Sequence, residues 1–243
     1  MKRIFTALLL LVLAAPAWAQ HFEKGAQAYE RGDYATALKE WRPLAEQGHV
    51  EAQFKLGIMY ATGAGVPVDF SEAVNWYRKA AEQGHADAQT LLGIRYENGD
   101  GVPIDFGEAV KWYRKAADQG HAEGQTHLGV MYDAGRGVLQ DFREAVKWYR
   151  TAAAQGWPRA QALLGTAYAG GRGVPQDYVL AHMWLNLAVS GFGPQDYVFS
   201  GDRPVYAKKL RDQLSMLMTA DQIAECPSGE FVSRANRLVE LTP

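Results

Sequence analysis

The chain has 243 residues, of which 48% are hydrophobic, so it can bury one sizeable core or two small ones. Its formal net charge at pH 7 is −2, and no basic stretch stands out, which argues against nucleic acid or an anionic membrane surface as a partner. Cys226 is the only cysteine, so no disulfide can form within the chain and the fold must rest on packing alone.

The first nineteen residues have the pattern of a secretion signal. Two basic residues precede an apolar run over 4–15, which is too short to span a bilayer. The small residues Ala17 and Ala19 predict a cleavage site, with the mature chain starting at Gln20. We therefore expect a signal peptide over 1–19, a periplasmic or secreted protein, and no membrane span after cleavage. An uncleaved membrane anchor is the alternative.

A pattern of 36 residues recurs along most of the chain. It places glycine, tyrosine and tryptophan at matching positions of successive units, namely Gly57, Gly93, Gly129 and Gly165, then Tyr60, Tyr96, Tyr132 and Tyr168, then Trp76, Trp112, Trp148 and Trp184. A fixed period of this size is typical of a solenoid, in which each unit buries its apolar face against its neighbours.

Each unit is predicted to be a pair of antiparallel helices. In the second unit, apolar residues recur at helical spacing over 52–62 and again over 70–83, and a loop rich in glycine and proline separates the two runs. Asp69 is predicted to cap the second helix through its carboxylate, and Glu72 to close a capping box with it. Glycine and alanine lie where the helices must approach closely, with large aromatic residues beside them.

This pattern resembles the Sel-1-like repeat family, a relative of the tetratricopeptide repeat. The resemblance is carried by Leu56, Gly57, Tyr60, Gly63, Gly65, Val66, Asp69, Ala73, Trp76, Tyr77, Ala80, Ala81 and Gly84, and it recurs in the next two units. It implies an all-α fold, a right-handed α-solenoid of antiparallel helix pairs with a helical C-terminal cap. It also implies a bacterial protein of the exported type.

The predicted domain organisation follows the repeats. The first unit is four residues shorter in the turn between its helices, like a plain tetratricopeptide unit. The fourth unit of the 36-residue pattern is degenerate, and an inserted loop rich in glycine and proline follows it. The expected boundaries are 1–19 for the signal peptide, 20–50 for the short unit, 51–86, 87–122 and 123–158 for the full repeats, 159–191 for the degenerate repeat, 192–204 for the loop and 205–243 for the helical cap.

Within the cap, two helices are predicted over 205–217 and 230–241. Thr219 and Gln222 have the spacing of a capping box that restarts the chain between them.

The sequence gives little support for a catalytic site or a metal site. His49, His85 and His121 recur at the repeat spacing, but a metal needs ligand nitrogens about 2 Å from the ion, whereas packed helices lie roughly 8–10 Å apart. We therefore expect these histidines to form hydrogen bonds or packing contacts in the turns. The Gly-x-Gly pairs follow helices instead of strands, so they are turn glycines and not a phosphate loop. We predict no enzyme, no metal and no cofactor.

The inner wall of the solenoid is predicted to bind a partner. By resemblance to tetratricopeptide repeats, the wall is formed by residues around each Leu-Gly centre and by charged residues near the start of each first helix. They are Glu51, Phe54, Ile58, Asp87, Thr90, Ile94, Glu123, Thr126, Val130, Arg159, Ala162 and Thr166. Two interpretations stay open: an acidic, mildly apolar groove for a peptide, or isoleucine and valine side chains that only pack between repeats.

The favoured function is therefore an exported scaffold that binds another protein or a peptide in the bacterial envelope. The alternative is a module that binds a cell-wall ligand such as peptidoglycan, or regulates a wall-modifying enzyme, with Tyr197, Phe199 and Tyr206 as residues that could stack on sugars. A hydrolase ranks third, because acids occur throughout but no pair is singled out by its spacing.

Overall fold

The computed structural model describes residues 17–193, 203–219 and 222–223, and every regular element in this part is a helix. Eleven helices follow one another: α1 (Ala17–Glu30), α2 (Tyr34–Glu46), α3 (Val50–Thr62), α4 (Phe70–Glu82), α5 (Ala86–Asn98), α6 (Phe106–Asp118), α7 (Ala122–Ala134), α8 (Phe142–Ala154), α9 (Pro158–Gly170), α10 (Tyr178–Gly191) and α11 (Arg203–Ser215). The predicted all-α helical repeat fold is confirmed.

The helices stack in chain order. Each odd-numbered helix packs against the even-numbered helix that follows it, and each even-numbered helix up to α8 packs against the first helix of the next pair. In addition α5 contacts α7 and α7 contacts α9, so first helices of successive repeats approach one another directly. We call the surface of the first helices α3, α5, α7 and α9 the inner wall, and that of the second helices the outer wall.

Aspartates start the second helices, as predicted. The Asp69 carboxylate accepts the backbone N–H groups of Ser71 and Glu72 at 2.9 and 3.0 Å. The predicted capping box with Glu72 is wrong, because the backbone N–H of Asp69 donates to the Tyr60 carbonyl at 2.9 Å. This bond ties the end of the loop back to the first helix and occupies the donor that a capping box would use.

The contact between the two helices of a repeat depends on glycine. A Cβ atom added to Gly93 would lie 2.6 Å from the Tyr113 ring, and one added to Gly129 would lie 2.6 Å from the Tyr149 ring. Both rings are buried, with 0% and 2% of the residue surface exposed. The aromatic ring of the second helix therefore occupies the space that is left because glycine on the first helix has no side chain.

A ladder of buried glutamines joins the repeats, and the sequence pattern had not indicated it. The Gln89 amide donates to the Ala81 carbonyl at the end of α4, at 3.0 Å, and its oxygen accepts from Gln119 at 2.7 Å. The same two bonds recur one repeat later through Gln125 and Gln155, at 3.2 and 2.8 Å. Each buried glutamine thus gives a second donor to a helix-end carbonyl that also accepts the backbone N–H of Gly84 or Gly120.

The two ends of the described chain differ from the middle. Only three residues, 31–33, join α1 to α2, whereas seven residues, 63–69, join α3 to α4. At the other end α11 packs on α10, and the predicted capping box forms, since Thr219 and Gln222 exchange hydrogen bonds of 2.9 and 3.2 Å. The predicted cleavage site falls at the start of α1.

Several predictions fall on residues that the structure does not describe. They are the apolar run of the signal, most of the inserted loop, Cys226 and the helix over 230–241. Among the described residues, no helix combines the length and the apolar character needed to cross a bilayer.

Candidate partner-binding wall

All twelve predicted site residues lie on the inner wall, but three of them are not available to a partner. Phe54, Thr90 and Thr126 are buried, with 9%, 0% and 0% of their surface exposed. The Phe54 ring stacks on the His85 ring of the next repeat, with 4.3 Å between the ring centroids. These three positions are corrected to contacts between repeats.

The aliphatic positions are half-buried. Ile58, Ile94 and Val130 pack against core clusters that combine the second helix of their own repeat with the next repeat, and they expose only part of their surface. Ala162 and Thr166 on α9 are also half-buried, and the Thr166 hydroxyl donates to the Ala162 carbonyl at 2.9 Å. The apolar part of the inner wall is therefore limited to the exposed part of each side chain, because the rest is packed in the core.

The recurring histidines form hydrogen bonds at the helix starts, which confirms the role predicted for them. His85 accepts the Ala88 backbone N–H through Nδ1 at 3.3 Å, so its hydrogen lies on Nε2, which is 3.0 Å from the Glu51 carboxylate. His121 repeats the arrangement with Asp87, again at 3.0 Å. The acids of the first two steps are thus held by a histidine of the next repeat.

The third of these steps along the inner wall breaks this arrangement. Trp157 stands where a histidine would, and its side chain makes no capping bond to α9. Its indole N–H is buried and has no acceptor. The same stretch carries Arg159, the one basic residue at a wall position that is acidic in the three repeats before it.

A polar network crosses the middle of the inner wall. The Tyr113 hydroxyl donates to the Glu97 carboxylate at 2.7 Å, and the His127 ring stacks on the Tyr113 ring with 4.8 Å between centroids. His127 Nδ1 lies 3.8 Å from the Glu97 carboxylate, and His127 Nε2 lies 2.9 Å from Arg159 Nη1. Because Arg159 can only donate, Nε2 accepts and the hydrogen of the ring lies on Nδ1. Residues from α5, α6, α7 and α9 are joined in this way.

The pKa values of Glu97, His127 and Tyr113 in this network are shifted away from neutral pH. The nearby His127 ring, followed by the hydrogen bond from Tyr113, lowers the pKa of Glu97 to about 2 despite its burial. Burial lowers the pKa of His127 and raises the pKa of Tyr113 well above its usual value. Because a general acid or base works best with a pKa near the operating pH, this arrangement suits fixed polar contacts better than catalysis.

Sequence reasoning missed His127, although a signal for it exists. The equivalent residues one repeat before and one repeat after are Leu91 and Leu163, so His127 is an ionisable residue in an otherwise apolar column. Glu97 likewise stands where the preceding repeat has Ala61. A position-by-position comparison of the repeats would have found His127.

The described part of the chain offers few residues for a metal site or for stacking on a sugar. No group of three or more histidine, cysteine, aspartate or glutamate side chains there is placed to hold a metal ion. The tryptophans Trp76, Trp112 and Trp184 are buried, with 8%, 8% and 5% of their surface exposed, so they offer no face to a sugar. Tyr206 is 56% exposed, while Tyr197 and Phe199 lie outside the described residues.

Comparison with known families identifies the repeat. The sequence profile of the Sel1 repeat matches residues 50–85, 86–121, 122–157 and 158–191, which together make up more than half of the chain. The chain belongs to the Sel1 repeat family. Sel1 repeats typically mediate protein–protein interaction and are generally non-catalytic scaffolds. No functionally curated protein shows significant similarity to the chain.

Solved structures of Sel1 repeat proteins share the fold. The protective antigen c5321 of uropathogenic Escherichia coli strains is 33% identical, with a TM-score of 0.68 over 81% of this chain and 46% of the antigen. This chain therefore spans less than half of that antigen's length. A Sel1 repeat protein from Oxalobacter formigenes is 35% identical, with a TM-score of 0.65 over 79% of this chain and 84% of that protein. The immunity protein Pa5087 from Pseudomonas aeruginosa, 21% identical with a TM-score of 0.50, is similar in fold alone.

Proposed function

We propose that this Sel1 repeat protein is an exported scaffold of the bacterial envelope that binds a segment of another protein along its inner wall. The observation that carries the proposal is the inner wall itself, where charged side chains recur in register and the pattern changes at one defined step. A surface used only for packing between identical repeats has no need of such a break.

The charged positions on the wall support an extended partner. The Glu51 and Asp87 side chains are 39% and 56% exposed, although each also contacts a histidine. Ile58 and Ile94 on the same two helices are partly exposed, so the wall carries small apolar patches as well as carboxylates. Apolar contacts beside charged ones are what recognition of a peptide segment requires.

The position-dependence of crosslinking tests the proposal. A photoreactive amino acid replaces Asp87 on the inner wall in one variant and Lys111 on the outer wall in another. Lys111 is 69% exposed and lies in the same repeat, so the two variants differ mainly in the wall that they probe. We expect one defined adduct in envelope extracts from position 87 and none from position 111. Equal adducts from both positions, or none from position 87, would contradict binding along the inner wall.

Export is supported by the sequence pattern over 1–19. We expect the protein to be recovered from the periplasm or the medium, with Gln20 as its first residue by N-terminal sequencing. A full-length protein that stays with the membrane fraction would instead favour the uncleaved anchor.

Exposed Tyr206 keeps a cell-wall ligand as the second candidate, because an exposed aromatic ring can stack on a sugar. Co-sedimentation with purified peptidoglycan separates the two candidates. Saturable retention of the protein that is lost in Tyr206→Ala would favour the wall ligand, and protein that stays in the supernatant would favour the protein partner.

A further inference from the structure

A buried hydroxyl on α8 has no hydrogen-bond partner. Tyr149 is only 2% exposed, and its hydroxyl oxygen is buried without a donor or acceptor nearby. One repeat earlier the equivalent Tyr113 hydroxyl donates to the Glu97 carboxylate at 2.7 Å. Since buried polar groups are nearly always paired, the unpaired Tyr149 hydroxyl is a feature that calls for an acceptor.

Two sequence differences explain why the chain does not supply that acceptor. Asp133 stands where the earlier repeat has Glu97, and its side chain is shorter by one methylene group. Its carboxylate lies 3.7 Å from Arg172 Nη1 instead of on the tyrosine hydroxyl. Leu163 replaces His127, so the neighbouring hydrogen-bonding ring is also absent.

The charges around the Tyr149 hydroxyl favour an anion. Asp133, Arg159 and Arg172 are the charged groups that act on it, and together they carry one net positive charge. Asp133 and Arg172 are 27% and 47% exposed, so two of these charged side chains are open to solvent and to a partner. Burial, the largest effect, raises the pKa of Tyr149, so the hydroxyl keeps its proton and can donate it.

In the earlier repeat, the equivalent tyrosine hydroxyl is already paired with a carboxylate. There the carboxylate of a glutamate accepts from the tyrosine and lies 3.8 Å from Arg136, the counterpart of Arg172. A hydroxyl donor with arginines beside it is a strong combination for a carboxylate, because charge-assisted bonds are shorter and stronger than neutral ones.

We propose that Tyr149, Arg159 and Arg172 form a subsite where α8 meets α9, beside the inner wall, that takes the carboxylate of an acidic side chain of the bound protein segment. This proposal rests on the proposed function and specifies one feature of the partner, an acidic side chain. A glutamate of the partner would occupy the place that Glu97 occupies one repeat earlier. The remainder of the wall, with its own carboxylates, would take the neutral or basic residues that flank this glutamate.

Small probes test the subsite on the whole protein. The tyrosine ring signals of protein labelled at its tyrosines are followed by NMR during titration with N-acetylglutamate methylamide, and Tyr149→Phe identifies the signal of Tyr149. We expect a saturable shift of that signal, with a dissociation constant on the order of 1–10 mM, as suits one charged group. The glutamine analogue, which lacks the charge, and the lysine analogue should leave the signal in place.

A variant that fills the subsite from within provides the decisive comparison. Asp133→Glu restores the side-chain length of Glu97, so we expect its carboxylate to bond Tyr149, to raise the thermal midpoint, and to weaken the glutamate analogue by about tenfold or more. Asp118→Glu, an exposed position at the end of α6, is the matched control and should change neither.

Three results would overturn the subsite: no shift with the glutamate analogue, an equal shift with the glutamine or lysine analogue, or unchanged binding in Asp133→Glu. None of these results affects the crosslinking expected from position 87, so the subsite proposal can be wrong while the proposed function stands. If crosslinking fails and the probe binds, the subsite stands without its assigned role.

Discussion

At the scale of the residue, single glycines set the distance between the helices of a repeat. Gly93→Ala would place a methyl group 2.6 Å from the Tyr113 ring, which is fully buried and cannot move aside without disturbing the next repeat. We expect the free energy of unfolding to fall by about 1–3 kcal/mol, as for other overpacked cores. Urea denaturation followed by circular dichroism measures this loss.

Gly107→Ala is the matched control for that substitution. Gly107 lies in α6, and an added Cβ there would approach only the Asp105 carboxylate, at 3.2 Å. Because alanine is the better helix former, we expect this variant to be unchanged or more stable by about 0.5–1 kcal/mol. A loss of similar size in both variants would mean that the close contact with Tyr113 is not what requires glycine.

The buried His127 predicts a dependence of stability on pH. Burial lowers its pKa in the folded protein below the ordinary value of 6.5, so the unfolded chain binds a proton first as the pH falls. The stability that His127 allows at neutral pH is therefore lost as the pH falls below about 6.5. We expect His127→Leu, which restores the residue type of Leu91 and Leu163, to show a smaller loss of unfolding free energy between pH 7 and 5 than the wild type.

Two other groups bear on this comparison, and Glu97 is coupled to His127, which is the largest cause of its lowered pKa. The pKa of His182 is lowered in the same direction by burial, but His182 is present in both proteins. The pKa of Glu97 is lowered from 4.5 to about 2, so its stabilising effect is present above pH 4.5 and is lost only as the pH falls towards 2. Identical slopes for the two proteins between pH 7 and 5 would show that His127 is not the group responsible.

The sequence predicted the repeated residues well and the singular ones poorly. Asp69, the glycines and the buried tryptophans follow the period, so one unit explains all of them. His127 and the unpaired Tyr149 depend on what the neighbouring repeats carry at the equivalent positions. Phe54 was placed on an open groove because it lies beside the Leu-Gly centre, but the ring is large enough to reach His85 of the next repeat.

At the scale of the element, the carboxylate of an aspartate caps the start of each of the second helices α4, α6 and α8. The Asp105 carboxylate accepts the Glu108 backbone N–H at the start of α6, at 2.9 Å. We expect Asp105→Ala to lower the free energy of unfolding by about 1 kcal/mol, the usual effect of losing such a cap. Chemical denaturation measures the change.

The other end of the same helix supplies the control. Asp118 is the last residue of α6 and is exposed, where a negative charge opposes the helix dipole. We expect Asp118→Ala to leave the protein as stable as the wild type or slightly more stable. If Asp118→Ala costs as much as Asp105→Ala, the loss comes from replacing an aspartate in α6 and not from the cap.

The sequence predicted where the helices lie more closely than the residue at which each one begins. The apolar period located α3 and α4, yet α3 begins at Val50 and not at residue 52, because His49 caps it through a ring nitrogen. Histidine is a rare capping residue, so no general preference indicates this start. The Gln89 ladder was missed for a related reason, since a glutamine inside a helix is read as exposed until a neighbouring helix end is known.

At the scale of the whole molecule, the described part is a stack whose contacts are made between neighbours. The rings, glutamines and histidines that join one repeat to the next recur with the same spacing, so each interface resembles the one before it. The energy of such a stack is close to a sum over units and interfaces. The period in the sequence was therefore sufficient to predict the architecture, whereas the partner depends on the few positions that break the period.

Removing one complete repeat tests this account most directly. Deletion of 87–122 takes out one unit and joins two units with the same spacing, whereas deletion of 87–104 takes out one helix and leaves α6 without its partner. We predict that the first variant keeps the helix content per residue and a cooperative, less stable unfolding transition, and that the second does not fold, as measured by circular dichroism during thermal and urea denaturation. Loss of folded structure to the same extent in both variants would contradict a solenoid of equivalent stacked repeats.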